Sequence, residues 1–407
     1  MKSEDPMKTN YANLDMLRSL AVLSVVAQHL WHQCVNFHLC SYDAGVNQRL
    51  HNLSFTGVMF FFVHTCLVLM LSMDRMQARH RGRDFLIRRA FRIYPLCWLT
   101  ILLALASGLT DQPGGNFHNL GWRGVAANLL LAQNMLRSFP SVVGPRWSLP
   151  WEVQMYIVLP AFFVFLKRFD RLSAVLALWL ISTLVMTATT QPALPRMLHG
   201  AIFPPMFIGG MVTYPLMNRR NDEPNRRPLP AWAWPFFILS LFAVQGLLVG
   251  EHSTESPFGS MVDAGICLTL ALAIPAFGEL KARWIVRPVQ QMARYSYGIY
   301  LLHVPALILV MRCLPGLTLA LKVCIFLFIT ALLSFVSFQL LENPMIQLGK
   351  RLTQSARSPG VFNAPESIGL NAKLEADFAT NSRLNKERKS LVCNQAEEIL
   401  SSTGAME

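Results

Sequence analysis

The sequence predicts an all-α polytopic membrane protein with about ten transmembrane helices and both termini cytoplasmic. Three observations carry that expectation. Of the 407 residues, 53% are hydrophobic and only 14% are charged, whereas a soluble chain carries about 25% charged residues. Apolar windows of about 20 residues recur along most of the chain, the length a helix needs to cross a bilayer. Positive charge falls in alternate loops, as the positive-inside bias requires. The net charge of +13 would point to nucleic acid in a soluble protein, but here that bias explains it more simply.

Ten spans are expected, at 14–34, 55–73, 91–109, 150–167, 171–188, 197–217, 231–249, 257–277, 296–313 and 317–340. The start, Met1 to Asn10, is polar, and the stretch from Leu14 is too long for a signal-peptide core, so the first span reads as an uncleaved signal-anchor. Val125 to Leu136 is apolar but too short to cross comfortably and reads as an interfacial or re-entrant helix. Counting it as a span would place the Arg219–Arg227 cluster outside, against the charge rule. After Glu342-Asn-Pro the composition turns to Ser, Asn, Lys and Glu. This divides the chain into a membrane domain over 11–345 and a polar cytoplasmic tail over 346–407, flexible or loosely helical. No internal repeat of the transporter kind is visible.

The first span is unusual because it carries Asp15, Arg18 and His29. At 100° per residue, Arg18 and His29 differ by about 20° around the helix and Asp15 and His29 by about 40°. All three share one stripe. Ionisable groups in a bilayer helix face a protein interior or a wet cavity and mark function; the alternative is Asp15 and Arg18 at the interface, with His29 packed on a neighbour.

Seven arginines lie within 75–92, more than topology needs. Arg88, Arg89 and Arg92 stand just before Tyr94-Pro95, and Arg88 and Arg92 are four apart, on one helix face. Arginine forks grip phosphate bidentately, so a phosphorylated donor from the cytoplasm and an anionic-lipid contact are the two readings. In Trp147-Ser148-Leu149-Pro150-Trp151-Glu152, Pro150 suits a first helical turn and Glu152 complements the dipole there. The flanking aromatics suit an interfacial belt or a platform for a sugar ring. His303, in Tyr295-Ser-Tyr-Gly-Ile-Tyr300-Leu-Leu-His303, and His64 in the second span read as packing histidines in preference to catalysts. Glu342 reads as a partner for an inner-face arginine. The eight cysteines form no C-x-x-C pair, and no metal-ligand spacing appears. Cys34 and Cys40 flank a short loop and are either small apolar residues or an extracytoplasmic disulfide.

These motifs, taken in order, resemble the type-three membrane acyltransferase family. Leu14-Asp15-x-Leu17-Arg18 with His29 eleven residues after the arginine resembles its opening. Gly57-Val-Met-Phe60-Phe61-Phe62-Val63, Arg88-Arg89-x-x-Arg92-Ile-Tyr-Pro, Trp147-Ser-Leu-x-x-Glu152, Ser296-Tyr-Gly-Ile-Tyr-Leu-Leu-His303 and Glu342-x-Pro344 follow in the family's sequence. Two departures stand out. His64-Thr65-Cys66-Leu67 replaces the family's usual Leu-Ser-Gly-Phe, and no stretch of the sequence reads as the esterase-like extracytoplasmic domain that some members append, so transfer is expected to finish within the membrane domain or on a partner.

The resemblance implies a multi-pass enzyme of the bacterial inner membrane that moves an acyl group, commonly acetyl, from acyl-CoA to a carbohydrate hydroxyl. The acceptor would be an exopolysaccharide, a lipopolysaccharide or a lipid-linked sugar. It implies no permanently bound cofactor and no metal. His29, Arg18 and Glu152 are the catalytic residues carried over, with Arg88, Arg89 and Arg92 binding the donor. Asp15 joins the catalytic set as a partner for Arg18. Eleven residues of helix separate Arg18 from His29 by about 16 Å, so a donor held by its phosphates at the arginines would thread its arm outward to His29, and the acceptor would arrive from the Glu152 side. Direct transfer with His29 as general base and a covalent acyl-histidine both remain open. The rival reading is a proton-coupled transporter or flippase of polysaccharide precursors, which uses the same kinds of intramembrane groups.

Overall fold

Backbone N–H and C=O groups inside a bilayer have no water to bond, so an apolar window of this length must satisfy them within itself as a helix. The computed structural model describes residues 11–76, 80–107, 121–135, 139–142, 144–169, 172–189, 202–222 and 227–355. Every expected span contains one helix among them. The order is α1 (Ala12–Asn36), α2 (Ala44–Asp74), α3 (Arg81–Ser107), α4 (Gly121–Leu129), α5 (Leu149–Phe169) and α6 (Leu172–Thr189). There follow α7 (Pro204–Asp222), α8 (Ala233–Val249), α9 (Pro257–Ala273), α10 (Arg283–Cys313), α11 (Leu319–Ser337) and α12 (Asn343–Ser355). A 3₁₀ turn over Gly144–Ser148 leads into α5, and a π-turn over Phe338–Glu342 joins α11 to α12. Among the described residues the only extended pairing is an isolated bridge between Leu229 and Phe277.

Seven of these helices are long and apolar enough to cross a membrane: α2, α3, α5, α6, α9, α10 and the run from α11 through α12. The apolar α8 is shorter, at 17 residues. Several helices outrun the apolar edges of the expected spans. The second begins at Ala44, capped by Asp43 Oδ1 accepting from Val46 N–H at 2.8 Å, and the tenth begins at Arg283. Hydropathy ends where charge begins, but helical hydrogen bonding continues into the amphipathic flanks. Residues 346–355, assigned to the tail on composition, are likewise helical. Residues 356–407, Arg79 and residues 190–201 lie outside the described residues.

Burial sorts the helices into centre and rim. Of the apolar window of α2, 78% is buried, against 17% for α6 and 22% for α11. The central helix packs against α1, α7, α8 and α9. Its approach to α1 is close because position 57 has no side chain: a Cβ on Gly57 would lie 2.0 Å from Ser24 Oγ and 3.0 Å from the Ala21 carbonyl oxygen. Small residues at such crossings let membrane helices gain backbone-level contact. On its other flank Phe62 stacks on Phe207 of α7 with centroids 4.3 Å apart.

The start of α1 is clipped in place by Asn13. Its Nδ2 donates to the Gly278 carbonyl at 2.9 Å, its Oδ1 accepts from Leu280 N–H at 3.1 Å, and its carbonyl accepts from Trp234 Nε1 at 2.9 Å. Cys34 and Cys40, at the other end of α1, are free thiols, and the disulfide alternative is not formed.

Candidate functional site

Five helices contribute to a cavity of about 140 Å³. From α2 come Val58, Phe61, Phe62, Thr65 and Leu69, a stripe at helical spacing. Eleven residues separate its ends, so the cavity runs about 16 Å along the helix. Arg89, Arg92 and Ile93 come from α3, Arg18 from α1, and Tyr297 and Tyr300 from α10. The 3₁₀ turn and first turns of α5 add Ser148, Leu149, Glu152 and Tyr156.

Three guanidinium groups therefore face one carboxylate. Glu152 accepts a hydrogen bond from the Tyr156 hydroxyl one turn along α5. Its charged neighbours are Arg18, Arg92 and Arg89. Arg18 lies over the Phe61 ring at 5.4 Å and Arg89 over the Phe85 ring at 5.7 Å. Their Nε atoms are buried and have no hydrogen-bond partner. Buried donors on a cation are costly when left without an acceptor, so the arrangement is built for an anion. His64, from the stretch that departs from the family pattern, also lines this cavity, and its Nδ1 is buried without a partner.

The sequence places Glu152 at the opposite end of the membrane from the arginines, whereas the structure puts them together. The reason lies in how α5 starts. Pro145, Arg146, Ser148 and Leu149 are buried. The Tyr300 hydroxyl donates to the Pro145 carbonyl and bonds Ser148 Oγ at 2.7 Å. The turn is held inside the bundle, so the first turn of α5 opens beside Arg18 and not at the outer interface.

Spacing also misleads at Arg88. Four residues from Arg92 suggests a shared face, yet Arg88 Nε donates to Thr353 Oγ1 of α12 at 2.8 Å and is not part of the cavity wall. The facing pair is Arg89 and Arg92, three apart, because α12 occupies the other flank of α3. Asp15 is half-buried and lies beyond the lining. It is an electrostatic neighbour of Arg18, but among the described residues no direct ion pair joins them.

His29 is outside the cavity, in a second arrangement that the sequence reading missed. Its ring meets His303 of α10 edge-on, with centroids 5.1 Å apart and planes at 79°. Each ring bonds through Nδ1 to the carbonyl one turn back in its own helix, Val25 for His29 and Ile299 for His303, both at 2.9 Å. A carbonyl only accepts, so Nδ1 carries the proton and Nε2 is left as the basic nitrogen. Tyr300 connects the two arrangements: it lines the cavity, and its ring centroid is 6.3 Å from that of His303. The only sequence signal for this was the spacing of Tyr297, Tyr300 and His303, three apart on one helix.

Glu342 approaches the arginines from behind the wall. The π-turn carries it inward, where it is buried, with Arg92 and Arg18 as its charged neighbours. Room for it exists because α10 has glycine at the contact: a Cβ on Gly298 would lie 3.1 Å from Ser334 Cα and 3.3 Å from Glu342 Oε1.

Comparison with known proteins agrees with this architecture. A family model described as an acyltransferase domain matches residues 11–338. The chain belongs to that acyltransferase family. Among its relatives is YrhL of Bacillus subtilis (strain 168), named as a peptidoglycan O-acetyltransferase, 25% identical over 372 residues, or 83% of this chain and 55% of that protein. Another is the peptidoglycan O-acetyltransferase OatA of Listeria monocytogenes serovar 1/2a, 25% identical over 383 residues, or 83% of this chain and 56% of that protein. The chain thus spans about half the length of the curated relatives it matches. No solved structure matches it. The acyltransferase match takes in both the cavity and the histidine pair, and all the motifs from Asp15 to His303 lie within it.

Proposed function

We propose that the protein is a membrane O-acyltransferase that moves an acyl group, acetyl in the first instance, from acyl-CoA to a hydroxyl of a surface carbohydrate. A peptidoglycan-like glycan is the acceptor class that the relatives' names favour. In this reading the chain crosses the bacterial inner membrane ten times with both termini cytoplasmic. The observation that carries the proposal is the cavity itself: three arginines, two with buried unpartnered Nε atoms, joined through Tyr300 to His303 and through His303 to His29, each histidine with its basic nitrogen defined by its own backbone bond.

Arg18, Arg89 and Arg92 hold the phosphates of the donor, and Arg88 joins them at the mouth as the donor enters. The pantetheine arm runs past Tyr300 towards the histidine pair. His29 Nε2 takes the proton of the acceptor hydroxyl as its oxygen attacks the thioester carbonyl. The tetrahedral intermediate collapses, the C–S bond breaks, and the thiolate recovers the proton from the His29 imidazolium. The products are an O-ester and free coenzyme A, with no net proton change. Imidazole suits the role because its unperturbed pKa lies near neutrality, and such general-base catalysis contributes about 10²–10⁴-fold. Glu152 keeps the arginine cluster and the Tyr156 hydroxyl in register with the acceptor. Asp15 supports Arg18 through space.

The test is transfer of radiolabel. Purified protein in vesicles, given labelled acetyl-CoA and a muropeptide or polysaccharide acceptor, should pass label to the glycan and release coenzyme A. Movement of solute across the vesicle without labelled ester would make the protein a carrier and sink the reading.

A further inference from the structure

A second cavity, about 540 Å³, lies at the opposite end of α7 from its start, remote from the site above. Arg219 and Arg220 stand near the end of α7, and Arg227 faces them from the segment that returns towards α8. Leu216, one turn earlier on α7, and Leu272 and Pro275, from α9 and its following turn, add an apolar side on which Leu272 is exposed. The base is pinned. Leu229 N–H donates to the Ala276 carbonyl at 2.9 Å, and Gly278 N–H to the Leu229 carbonyl at 2.9 Å. Arg220 Nη1 donates to the Phe277 carbonyl at 3.1 Å, and its charged neighbour is Glu279. Arg219 and Arg227 are exposed, and among the described residues neither makes a hydrogen bond or an ion pair.

We propose that this cavity binds the phosphate headgroup of an anionic phospholipid, with the upper part of an acyl chain against the apolar wall. Two exposed guanidinium groups, without an ion pair among the described residues, beside an apolar surface match an amphiphile: the forks grip the phosphodiester, and Leu216, Leu272 and Pro275 cover hydrocarbon. A soluble anion would make no use of that wall. Orientation in the membrane needs positive charge in the loop, but it does not need arginines from two segments converging on one cavity. Basic pockets between transmembrane helices near the membrane surface recognise headgroups in this way.

The full chain, stripped of lipid in neutral detergent and titrated with a fluorescent phosphatidylglycerol, tests the assignment. Each arginine near a headgroup contributes roughly a fivefold factor, so Arg219→Gln with Arg227→Gln should weaken binding about thirtyfold. A control, Arg283→Gln with Arg287→Gln, removes the same charge at the same end of the bundle but outside the cavity, and should leave affinity within a few-fold. Three results would overturn the proposal: equal weakening in the control, which indicates diffuse surface charge; equal binding of phosphatidylcholine, which indicates the apolar slot alone; and full displacement by millimolar inorganic phosphate or pyrophosphate, which indicates a soluble-anion site. Acyl transfer does not enter the readout, so neither outcome depends on the proposed reaction.

Discussion

The arginine cavity and the histidine pair are neighbours built on opposite principles. The cavity gathers three guanidinium groups around one carboxylate and leaves donors unpartnered, so it is unsatisfied until an anion enters. The pair has its orientation set by the protein: two rings meet edge to edge, each with Nδ1 bonded to its own helix, and what is left without a hydrogen-bond partner is the buried Nε2 of His303. The contrast teaches a division of labour. A binding region can wait for its partner to complete it, whereas a proton-transfer group must have its tautomer and orientation set beforehand.

Substitutions that separate the two regions follow, from the largest expected effect downward. His29→Ala should lower turnover by about 10²–10⁴-fold while coenzyme A binding, measured by calorimetry, stays unchanged; a variant with normal turnover would remove His29 from the chemistry. Arg92→Ala, or Arg89→Ala, should do the reverse. Loss of a charge-assisted contact worth about 1.5–3 kcal/mol raises the donor dissociation constant roughly 10–150-fold, with turnover at saturating donor nearly intact. Arg88→Ala should cost less than either, because its guanidinium is engaged by Thr353.

Gly57→Ala should damage both regions together, since α1 carries both Arg18 and His29 and the new methyl would meet Ser24 and Ala21. Overpacking of this kind costs about 1–3 kcal/mol, visible as a lower thermal midpoint; an unshifted midpoint would mean that α1 relaxes away without penalty. Smallest is Glu342→Gln. Removing the negative charge behind Arg92 should lower the donor constant about two- to fivefold, the scale of a partly screened charge interaction, because the carboxylate no longer competes with the donor phosphates, and Glu342→Asp should stay near the wild-type value. A change in turnover instead of affinity would link Glu342 to the histidine pair.

Much of this was legible in the chain. The ten apolar stretches with their charged flanks required helices, because a bilayer leaves the backbone no other partner. The stripe of Asp15, Arg18 and His29 marked α1 as the costly helix, and the order of the motifs from Asp15 to Glu342 pointed to an acyltransferase domain. Along α1 the shared stripe does not make one site: Arg18 lines the cavity, Asp15 lies beyond the lining and His29 meets His303.

What depended on a second helix was not legible. Nothing in Trp147-Ser148-Leu149-Pro150-Trp151-Glu152 says that the turn is drawn inside by a tyrosine 152 residues after Ser148, so the sequence puts Glu152 at the surface and not beside Arg18. Helical periodicity allows Arg92 to share a face with Arg88 or with Arg89, and only the packing of α12 chooses. His303 read as a packing residue because its partner, His29, lies on a helix 274 positions away in sequence. Local sequence determines hydrogen bonding, periodicity and the price of burying a charge; which charges meet is decided by how the helices cross, and that is settled only when the whole bundle is packed.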